Sequence, residues 1–437
     1  MAVPDPTVVG QSADPDPADG ERDVPAVQAW LSALPDGADQ RLARVAALGQ
    51  RAQLALSLGQ AGECLAALAE QQAAAGHDQA AMLWALTTSS VCRAAFGQLR
   101  RARADLADAR RVCHNSAPVL AEPFWRFAEV LCSWLEGRWP AAQEDAAMLG
   151  AGQLSPLAPG LAGAVAALRI ELLRGLGLPQ QSRLLAERLG AASGTEMGAW
   201  ALAGLDVEQG RSAGALRRLA DARDAGERGV YRAALPLVLH RMAETAFACA
   251  EPAVTAQAAA DLAGLDQVTP LTEILTGLAH AYASGDARPA RRAQQRAEAE
   301  GAGALAAEAL TVRGQIGDEP AKTLLAAHTA WRRIGALGKV NDVAVAIRAA
   351  GLPAPAIEEI PWVPRISAEG PAPLTARERS LARLIHEGRT NQHIARTLHI
   401  SVKTVEAYLT RIYRKTSCSS RVELAVAVTE GRIQVGE

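Results

Sequence analysis

A short basic segment, residues 402–415, carries the side chains whose types and spacing suggest chemistry. Written as a helix, this segment has Val405, Leu409 and Ile412 at the spacing of one buried face. Its other positions are small, polar or cationic: Lys403, Thr404, Glu406, Ala407, Thr410, Arg411, Arg414 and Lys415. Small polar groups near the start of such a helix can reach the edges of DNA bases, and cations near its end can reach phosphates. The pattern indicates a surface for nucleic acid.

The residues before this segment predict a helix that would support it. Thr375 and Glu378 form a capping box, with Leu374 in the place of the hydrophobic staple. Gly388 ends the predicted helix. Its apolar residues at helical spacing are Leu381, Leu384 and Ile385.

Two more helices complete the predicted group of four. Thr390 or Asn391 caps the second helix, and Ser401 caps the third, which is the basic segment itself. The inward residues of the second helix are Ile394, Ala395 and Leu398. A fourth helix starts near Ser420 and carries Leu424, Val426, Ala427 and Val428. Two helices joined by a tight turn, the second one basic and capped by Ser, are typical of a helix-turn-helix.

Residues 374–431 resemble the C-terminal DNA-binding domain of the LuxR family of bacterial transcription regulators, also called the LuxR/GerE type. The residues that carry the resemblance are Leu374, Thr375, Arg377, Glu378, Arg379, Gly388, Thr390, Asn391, Ile394, Ala395, Ile400, Ser401, Thr404, Val405, Glu406, Ile412, Tyr413, Lys415, Ser420, Arg421, Glu423, Leu424 and Ala425. The resemblance implies binding to double-stranded DNA, with the third helix in the major groove and the fourth helix pairing two domains.

These expectations assign roles to individual side chains. The residues expected nearest the bases are Lys403, Thr404, Glu406 and Ala407. Contacts to the DNA backbone are expected from Asn391, Gln392, Ser401, Arg411, Arg414 and Lys415. The family resemblance places dimerisation on the apolar face of the fourth helix, which comprises Val422, Ala425, Val426 and Thr429.

The composition predicts an all-α protein with its basic charge at one end. Hydrophobic residues make up 49% of the 437 residues, but aromatic residues only 4%. Long segments rich in Ala, Leu, Arg and Glu favour helices. Residues 371–437 hold 11 Lys and Arg against 6 Asp and Glu, whereas the rest of the chain holds 34 against 41. Basic charge is therefore concentrated where the helix-turn-helix is predicted.

A loose repeat of 32 to 40 residues runs from about residue 40 to residue 350. Each repeat reads as a helix, a turn at a small residue, and a second helix. The predicted turns lie at Gly59, Gly97, Gly137, Gly177, Gly210, near Ala250, Gly285 and Gly317. This scale is that of tetratricopeptide (TPR)-like hairpins. We expect eight hairpins stacked into a superhelix with a continuous core and a concave surface. The alternative is an irregular helical bundle.

The expected domain layout has four parts. Residues 1–24, rich in Pro, Asp and Gly, form a disordered tail. Residues 25–352 form the TPR-like repeat domain, residues 353–373 a Pro-rich linker, and residues 374–437 the helix-turn-helix domain. The stretch His328–Leu352 resembles the segment that joins helical repeats to the DNA-binding domain in MalT-like regulators.

A group of aromatic residues in the repeats could line a pocket for a ligand or peptide. Its members are Trp84, Phe124, Trp125, Phe127, Trp134, Trp139 and Trp200. The alternative is ordinary packing between neighbouring hairpins.

No catalytic motif accompanies these features. The nearest approach to a nucleotide-binding loop is Gly335–Val340, which lacks the upstream Gly and the Ser or Thr of that motif. The sequence therefore lacks the ATPase module of MalT-like proteins. The six cysteines show no zinc spacing, and no stretch of about 18 apolar residues suggests a membrane span. We expect no enzyme activity, metal or cofactor.

The sequence thus predicts a cytoplasmic, sequence-specific transcription regulator, associated with the nucleoid when bound to DNA. The expected partners are double-stranded DNA, a second copy of the chain, and an unidentified effector or partner protein on the repeats, with RNA polymerase a further candidate. The alternative is an interaction scaffold whose helix-turn-helix is vestigial or contacts protein.

Overall fold

The fold comes from a computed structural model of the 437-residue chain. The structure describes residues 38–113, 122–149, 159–189, 195–228, 232–266, 268–353, 376–387, 389 and 391–398, and single residues from 405 to 428. The predicted tail, residues 1–24, and nearly all of the predicted linker, residues 353–373, lie outside the described residues. The chain divides into two compact units, Met1–Pro355 and Ala356–Glu437.

The described residues form 19 helices and no strand, which confirms the predicted all-α class. In chain order the helices are α1 Ala38–Ser57, α2 Ala61–Ala75, α3 Gln79–Ala95, α4 Leu99–Cys113, α5 Glu122–Glu136, α6 Trp139–Leu149, α7 Pro159–Gly175, α8 Pro179–Glu187, α9 Glu196–Glu208, α10 Ser212–Arg228, α11 Leu235–Ala248, α12 Pro252–Ala263, α13 Pro270–Ser284, α14 Ala287–Glu300, α15 Gly303–Gln315, α16 Pro320–Ile334, α17 Leu337–Ala349, α18 Ala376–His386 and α19 Asn391–Thr397.

Helices α1 to α16 form eight hairpins, and each predicted turn lies between the two helices of a hairpin. All seven glycines of these turns adopt a left-handed backbone: Gly59, Gly97, Gly137, Gly177, Gly210, Gly285 and Gly317. Glycine adopts this conformation at little steric cost, so it ends the first helix of these seven hairpins and lets the chain reverse.

The sixth hairpin makes the same turn without glycine. Ala250, between α11 and α12, has φ 57° and is one of two described residues other than glycine with positive φ. Its amide donates a hydrogen bond to the carbonyl of Phe247 (3.1 Å). A left-handed conformation costs an L-residue with a Cβ about 1–2 kcal/mol. The rest of the hairpin therefore imposes the turn on Ala250.

The first helices of successive hairpins stack on one another. Contacts join α1 to α3, α3 to α5, α7 to α9, α9 to α11, α11 to α13, and α13 to α15. This series of contacts is interrupted between α5 and α7 and again after α15, and at these places other helices pack together. Helix α5 packs against α15, and α7 packs against α17. The array therefore returns upon itself and brings early and late hairpins together.

Two backbone hydrogen bonds mark this return. The amide of Arg232, just before α11, donates to the carbonyl of Ser57 in the first turn. The amide of Leu271 in α13 donates to the carbonyl of Phe96 in the second turn (3.1 Å). The first two turns thus lie on the starts of α11 and α13.

The third and fourth turns approach α15 and α17 in the same way, through glycine. A Cβ at Gly303 would lie 2.6 Å from the carbonyl oxygen of Glu136, and one at Gly338 would lie 2.4 Å from that of Arg174. We call this row of four contacts the seam. The seam therefore packs the first four turns against the starts of α11, α13, α15 and α17.

Within the described residues, none of the helices combines the length and the apolar character needed to span a membrane.

The conformation of Ala250 predicts a stabilising substitution. Ala250→Gly should raise the free energy of unfolding by roughly 0.5–1 kcal/mol, because glycine adopts the left-handed conformation without the penalty that alanine carries. The greater entropy of glycine in the unfolded chain cancels only part of this gain. Thermal unfolding followed by circular dichroism measures the effect. The matched control is Ala256→Gly, an exposed position within α12, which should cost about 1 kcal/mol. A lower melting temperature for Ala250→Gly would contradict the assignment.

Candidate functional site

The second unit is organised around a small apolar core. Its buried members are Leu381, Ala382, Ile385, Ile394, Ala395, Val405, Leu409, Ile412 and Leu424, with Leu384, Leu398 and Tyr408 packed against them. Helix α18 supplies the first three residues and α19 the next two. The predicted inward faces of the first two helices are thus confirmed. Helix α19 begins at Asn391, which is half-buried, and the neighbouring Gln392 is exposed.

The basic segment presents its predicted apolar face to this core. Val405 and Ile412 are completely buried, and Leu409 is nearly so. All three residues are helical, as is Thr416, whose hydroxyl donates to the carbonyl of Ile412 (2.8 Å). The register of the third helix is therefore as predicted.

Most of the side chains assigned to DNA or to dimerisation lie outside the described residues. These are Ser401, Lys403, Thr404, Glu406, Ala407, Arg411, Arg414, Lys415, Val422, Ala425, Val426 and Thr429. Their roles stay predictions.

The predicted aromatic pocket separates into distinct groups in the structure. Trp84 and Phe124 form an edge-to-face pair with ring centroids 5.8 Å apart. With Gln53, Thr87, Thr88 and Val91 they line a narrow surface crevice that leaves no room for a water molecule. Trp125 packs nearby, against Leu83 and Leu86.

The other predicted aromatic residues are buried in the main core. Trp134 and Trp200 pair edge to face at 5.6 Å, and Trp139 lies 5.3 Å from Trp331. Phe127 is also buried in this core. The structure therefore does not bring all seven residues to one cavity.

A cluster of ionised groups, which the sequence analysis missed, fills part of the interior. Its centre is Glu171 of α7, whose carboxylate accepts hydrogen bonds from Arg174 (2.6 Å) and from Arg241 of α11 (2.7 Å). Burial alone would raise the pKa of Glu171, but these two guanidinium groups outweigh burial and hold the pKa well below its usual value. Arg241 also lies over the ring of Trp200 at 5.2 Å.

A second part of the cluster surrounds a lysine of α17. The Lys339 ammonium lies 3.1 Å from Glu308 and 3.7 Å from Glu244. Burial opposes its charge, but these carboxylates prevail and raise the pKa of Lys339. Burial likewise opposes the charge of Glu244, and Lys339 and Arg241 lower its pKa to about 2. Arg241 Nε lies 3.3 Å from Glu244, so it joins both parts of the cluster.

All these ionised groups come from the first helices of hairpins and from α17. The only local signals in the sequence were pairs three residues apart, Glu171 with Arg174 and Arg241 with Glu244. Such pairs also occur on solvated helix faces. The sequence therefore did not distinguish this interior cluster from a surface.

Fold and site together define an all-α protein with an array of helical hairpins and a separate small unit built on a helix-turn-helix core. Residues 372–428 match the family model described as bacterial regulatory proteins, luxR family. The chain thus carries a LuxR-family helix-turn-helix domain at its C-terminal side, as the resemblance predicted.

Several transcription regulators are similar to this chain over short stretches. The transcriptional regulatory protein LiaR of Bacillus subtilis is 38% identical over 96 residues, which cover 20% of this chain and 46% of LiaR. The nitrate/nitrite response regulator NarL of Escherichia coli is 43% identical over 60 residues, covering 14% and 28%. The monoamine regulon transcriptional regulator of Klebsiella aerogenes is 46% identical over 54 residues, covering 12% and 24%.

The chain spans between 6% and 46% of the length of the curated relatives it matches. The likeness therefore concerns only part of each protein.

The buried carboxylate of Glu171 predicts a large loss of stability on neutralisation. Glu171→Gln should lower the free energy of unfolding by about 3–5 kcal/mol, because two buried guanidinium groups lose their counter-charge. Since its pKa is lowered in the folded protein, the ionised Glu171 stabilises the fold above its unfolded pKa, and this contribution is lost as the pH falls. Thermal unfolding as a function of pH should show that acid-dependent loss in the parent and not in the variant. The control is Glu187→Gln, at an exposed position of α8. Equal melting temperatures for both variants would contradict the prediction.

Proposed function

We propose that the protein is a sequence-specific DNA-binding transcription regulator that inserts residues 402–415 into the major groove. The observation that carries this proposal is the buried row of Val405, Leu409 and Ile412 inside a domain that matches the LuxR family. Because these three residues face the core, the polar and cationic positions of the segment lie at other angles around the helix axis.

Base recognition is assigned to the start of the segment. Lys403 and Thr404 can donate to acceptors on base edges, Glu406 can accept from a cytosine amino group, and the methyl group of Ala407 can contact thymine. The proposed backbone contacts are Asn391, Gln392, Ser401, Arg411, Arg414 and Lys415. The position of Asn391 at the start of α19 supports its role, since helix N-termini attract phosphate.

The repeat unit, residues 25–352, is proposed to sense a ligand or bind a partner protein, with residues 353–373 as a linker to the DNA-binding domain at 374–437. RNA polymerase is a further proposed partner, and the bacterial cytoplasm is the proposed setting.

Binding by the full-length protein to selected DNA tests the proposal. A duplex would first be enriched from a randomised library, and fluorescence anisotropy would then be measured over a salt series, with a scrambled duplex as control. We expect tight, selective and salt-sensitive binding. A failure to enrich any sequence, with salt-independent affinity, would favour the scaffold alternative instead.

Two kinds of substitution should separate base contacts from phosphate contacts. Thr404→Ala or Lys403→Ala should reduce the preference for the selected duplex over the scrambled one by about 1–3 kcal/mol. Arg414→Ala should weaken binding to both duplexes alike and lower the salt slope by about one unit. Each variant serves as the control for the other. The assignment is wrong if Thr404→Ala and Lys403→Ala both keep full selectivity, or if Arg414→Ala keeps the full salt slope.

Dimerisation is proposed to occur through the fourth helix, about 420–430, and its face of Val422, Ala425, Val426 and Thr429. The burial of Leu424 in the core is consistent with a helix that has one inward and one outward face.

A chain ending at Ser417 should therefore bind DNA as a monomer, whereas the full chain binds as a dimer on two half-sites. Sedimentation of the protein–DNA complex gives the stoichiometry. Because the truncation also removes Leu424 from the core, Val426→Asp in the full chain is the companion variant. Dimeric complexes with both variants would place the interface in the repeats.

A further inference from the structure

A buried carboxylate lies where three helices of the repeat unit meet. Glu196 is the first residue of α9 and is only 9% exposed. Its Oε2 accepts a hydrogen bond from the backbone amide of Ala234, the residue before α11 (3.2 Å). Its Oε1 lies against the end of α10, where a Cβ at Gly226 would be 2.5 Å away. Glu196 therefore links the start of α9 to the end of α10 and the start of α11, and we call these three residues the joint.

One oxygen of this carboxylate lacks a hydrogen-bond donor. Within the part of the chain that the structure describes, Glu196 Oε1 is buried and has no hydrogen-bond partner. An ionised carboxylate loses strong hydration when it is buried with one oxygen unpaired, whereas a neutral carboxyl group loses far less. The packing of the joint therefore favours the protonated form of Glu196.

The neighbouring groups offset this burial only in part. Burial raises the pKa of Glu196 to about 7, although the amide of Ala234 and the guanidinium of Arg232 both lower it. Arg232 is the one charged residue, among those described, that acts on this pKa. On the helices packed against α9, charged groups that are paired with one another or exposed are Glu171 and Arg174 of α7, Arg183 and Glu187 of α8, Arg223 and Asp224 of α10, and Arg241 of α11. The carboxyl group of Glu196 therefore titrates near neutral pH.

Arg232 connects the joint to the seam. Its Nε donates to the carbonyl of Gly226 (3.1 Å), and its amide donates to the carbonyl of Ser57 in the first turn. The same residue thus links the end of α10, the segment before α11 and the first hairpin. A separation of α9 from α10 and α11 at Glu196 would displace the segment that makes this seam contact.

We propose that Glu196 is a proton-operated switch. With its carboxyl group neutral, the joint and the seam contact between Arg232 and Ser57 are closed. When the group ionises, its unpaired oxygen draws water into the joint, and that seam contact opens. The switch belongs to the repeat unit and does not depend on the proposed binding of DNA.

Urea unfolding of the full-length protein as a function of pH tests the titration. Because the pKa of Glu196 is raised in the fold, the stability linked to its neutral form is complete below the unfolded pKa and is lost as the pH rises through about 7. Glu196→Gln keeps the neutral form at every pH. Its folding equilibrium constant relative to the parent should therefore grow by roughly tenfold to a hundredfold between about pH 5 and about pH 8.5. The exposed control Glu187→Gln should keep a constant ratio to the parent, and a constant ratio for Glu196→Gln as well would overturn the proposal.

Hydrogen exchange, read residue by residue with mass spectrometry, tests the opening of the seam contact. Parent and Glu196→Gln are compared at the same pH, so the intrinsic effect of pH on exchange cancels. At about pH 8.5 the amide of Arg232 should exchange at least tenfold faster in the parent, and at about pH 5 the two rates should be alike. The control is the amide of Leu271, which makes the seam contact with Phe96 and should exchange alike in both proteins. Equal rates for Arg232 at the higher pH, or an equal change at Leu271, would overturn the switch.

Discussion

The repeat unit depends on the close approach of one backbone to another across the seam. At Gly303 and Gly338 the space between helix start and opposing carbonyl admits no Cβ. Any other residue would push α15 or α17 away from the third and fourth turns. The hydrogen bonds from Arg232 and Leu271 continue the same row at the first two turns. The two glycines thus let the array meet itself, a contact that neighbour-to-neighbour stacking alone does not require.

Closing the array changes the chemistry of its inner side. In an open superhelix, charges on the first helices of the hairpins would face water, where ion pairs contribute little. Here Glu171 and its two guanidinium partners are nearly inaccessible, so each charge needs its counter-charge nearby. Around Glu171 this compensation comes from Arg174 and Arg241, which both donate hydrogen bonds to its carboxylate. The carboxylates of Glu208 and Asp342, by contrast, lie at exposed positions where water also solvates them.

Local sequence patterns predicted the parts of the structure that are determined locally. The seven turn glycines, and the weaker turn at Ala250, mark every hairpin reversal because a left-handed residue is a local requirement. The row of Val405, Leu409 and Ile412 followed from helical periodicity. The DNA contacts themselves remain predictions.

The seam and the ion cluster could not be predicted in this way, because their partners are distant in the chain. Glu171 and Arg241 are 70 residues apart, and nothing in either neighbourhood specifies the other. The aromatic residues illustrate the same limit. Trp134 and Trp139 are neighbours in sequence, yet one pairs with Trp200 and the other with Trp331.

The packing of α17 against α7 also bears on how the chain folds. Arrays of helical repeats usually fold through contacts between neighbours, so their contact order is low and a terminal repeat can unravel alone. Here Gly338 meets the backbone of Arg174, so a contact of high sequence separation must form before the array is complete. During synthesis, α7 leaves the ribosome long before its partner α17 exists. The fourth hairpin therefore keeps an uncovered face until α17 has been made. Its contact with the backbone of Arg174 then holds α17, the last helix of the repeat unit, against fraying.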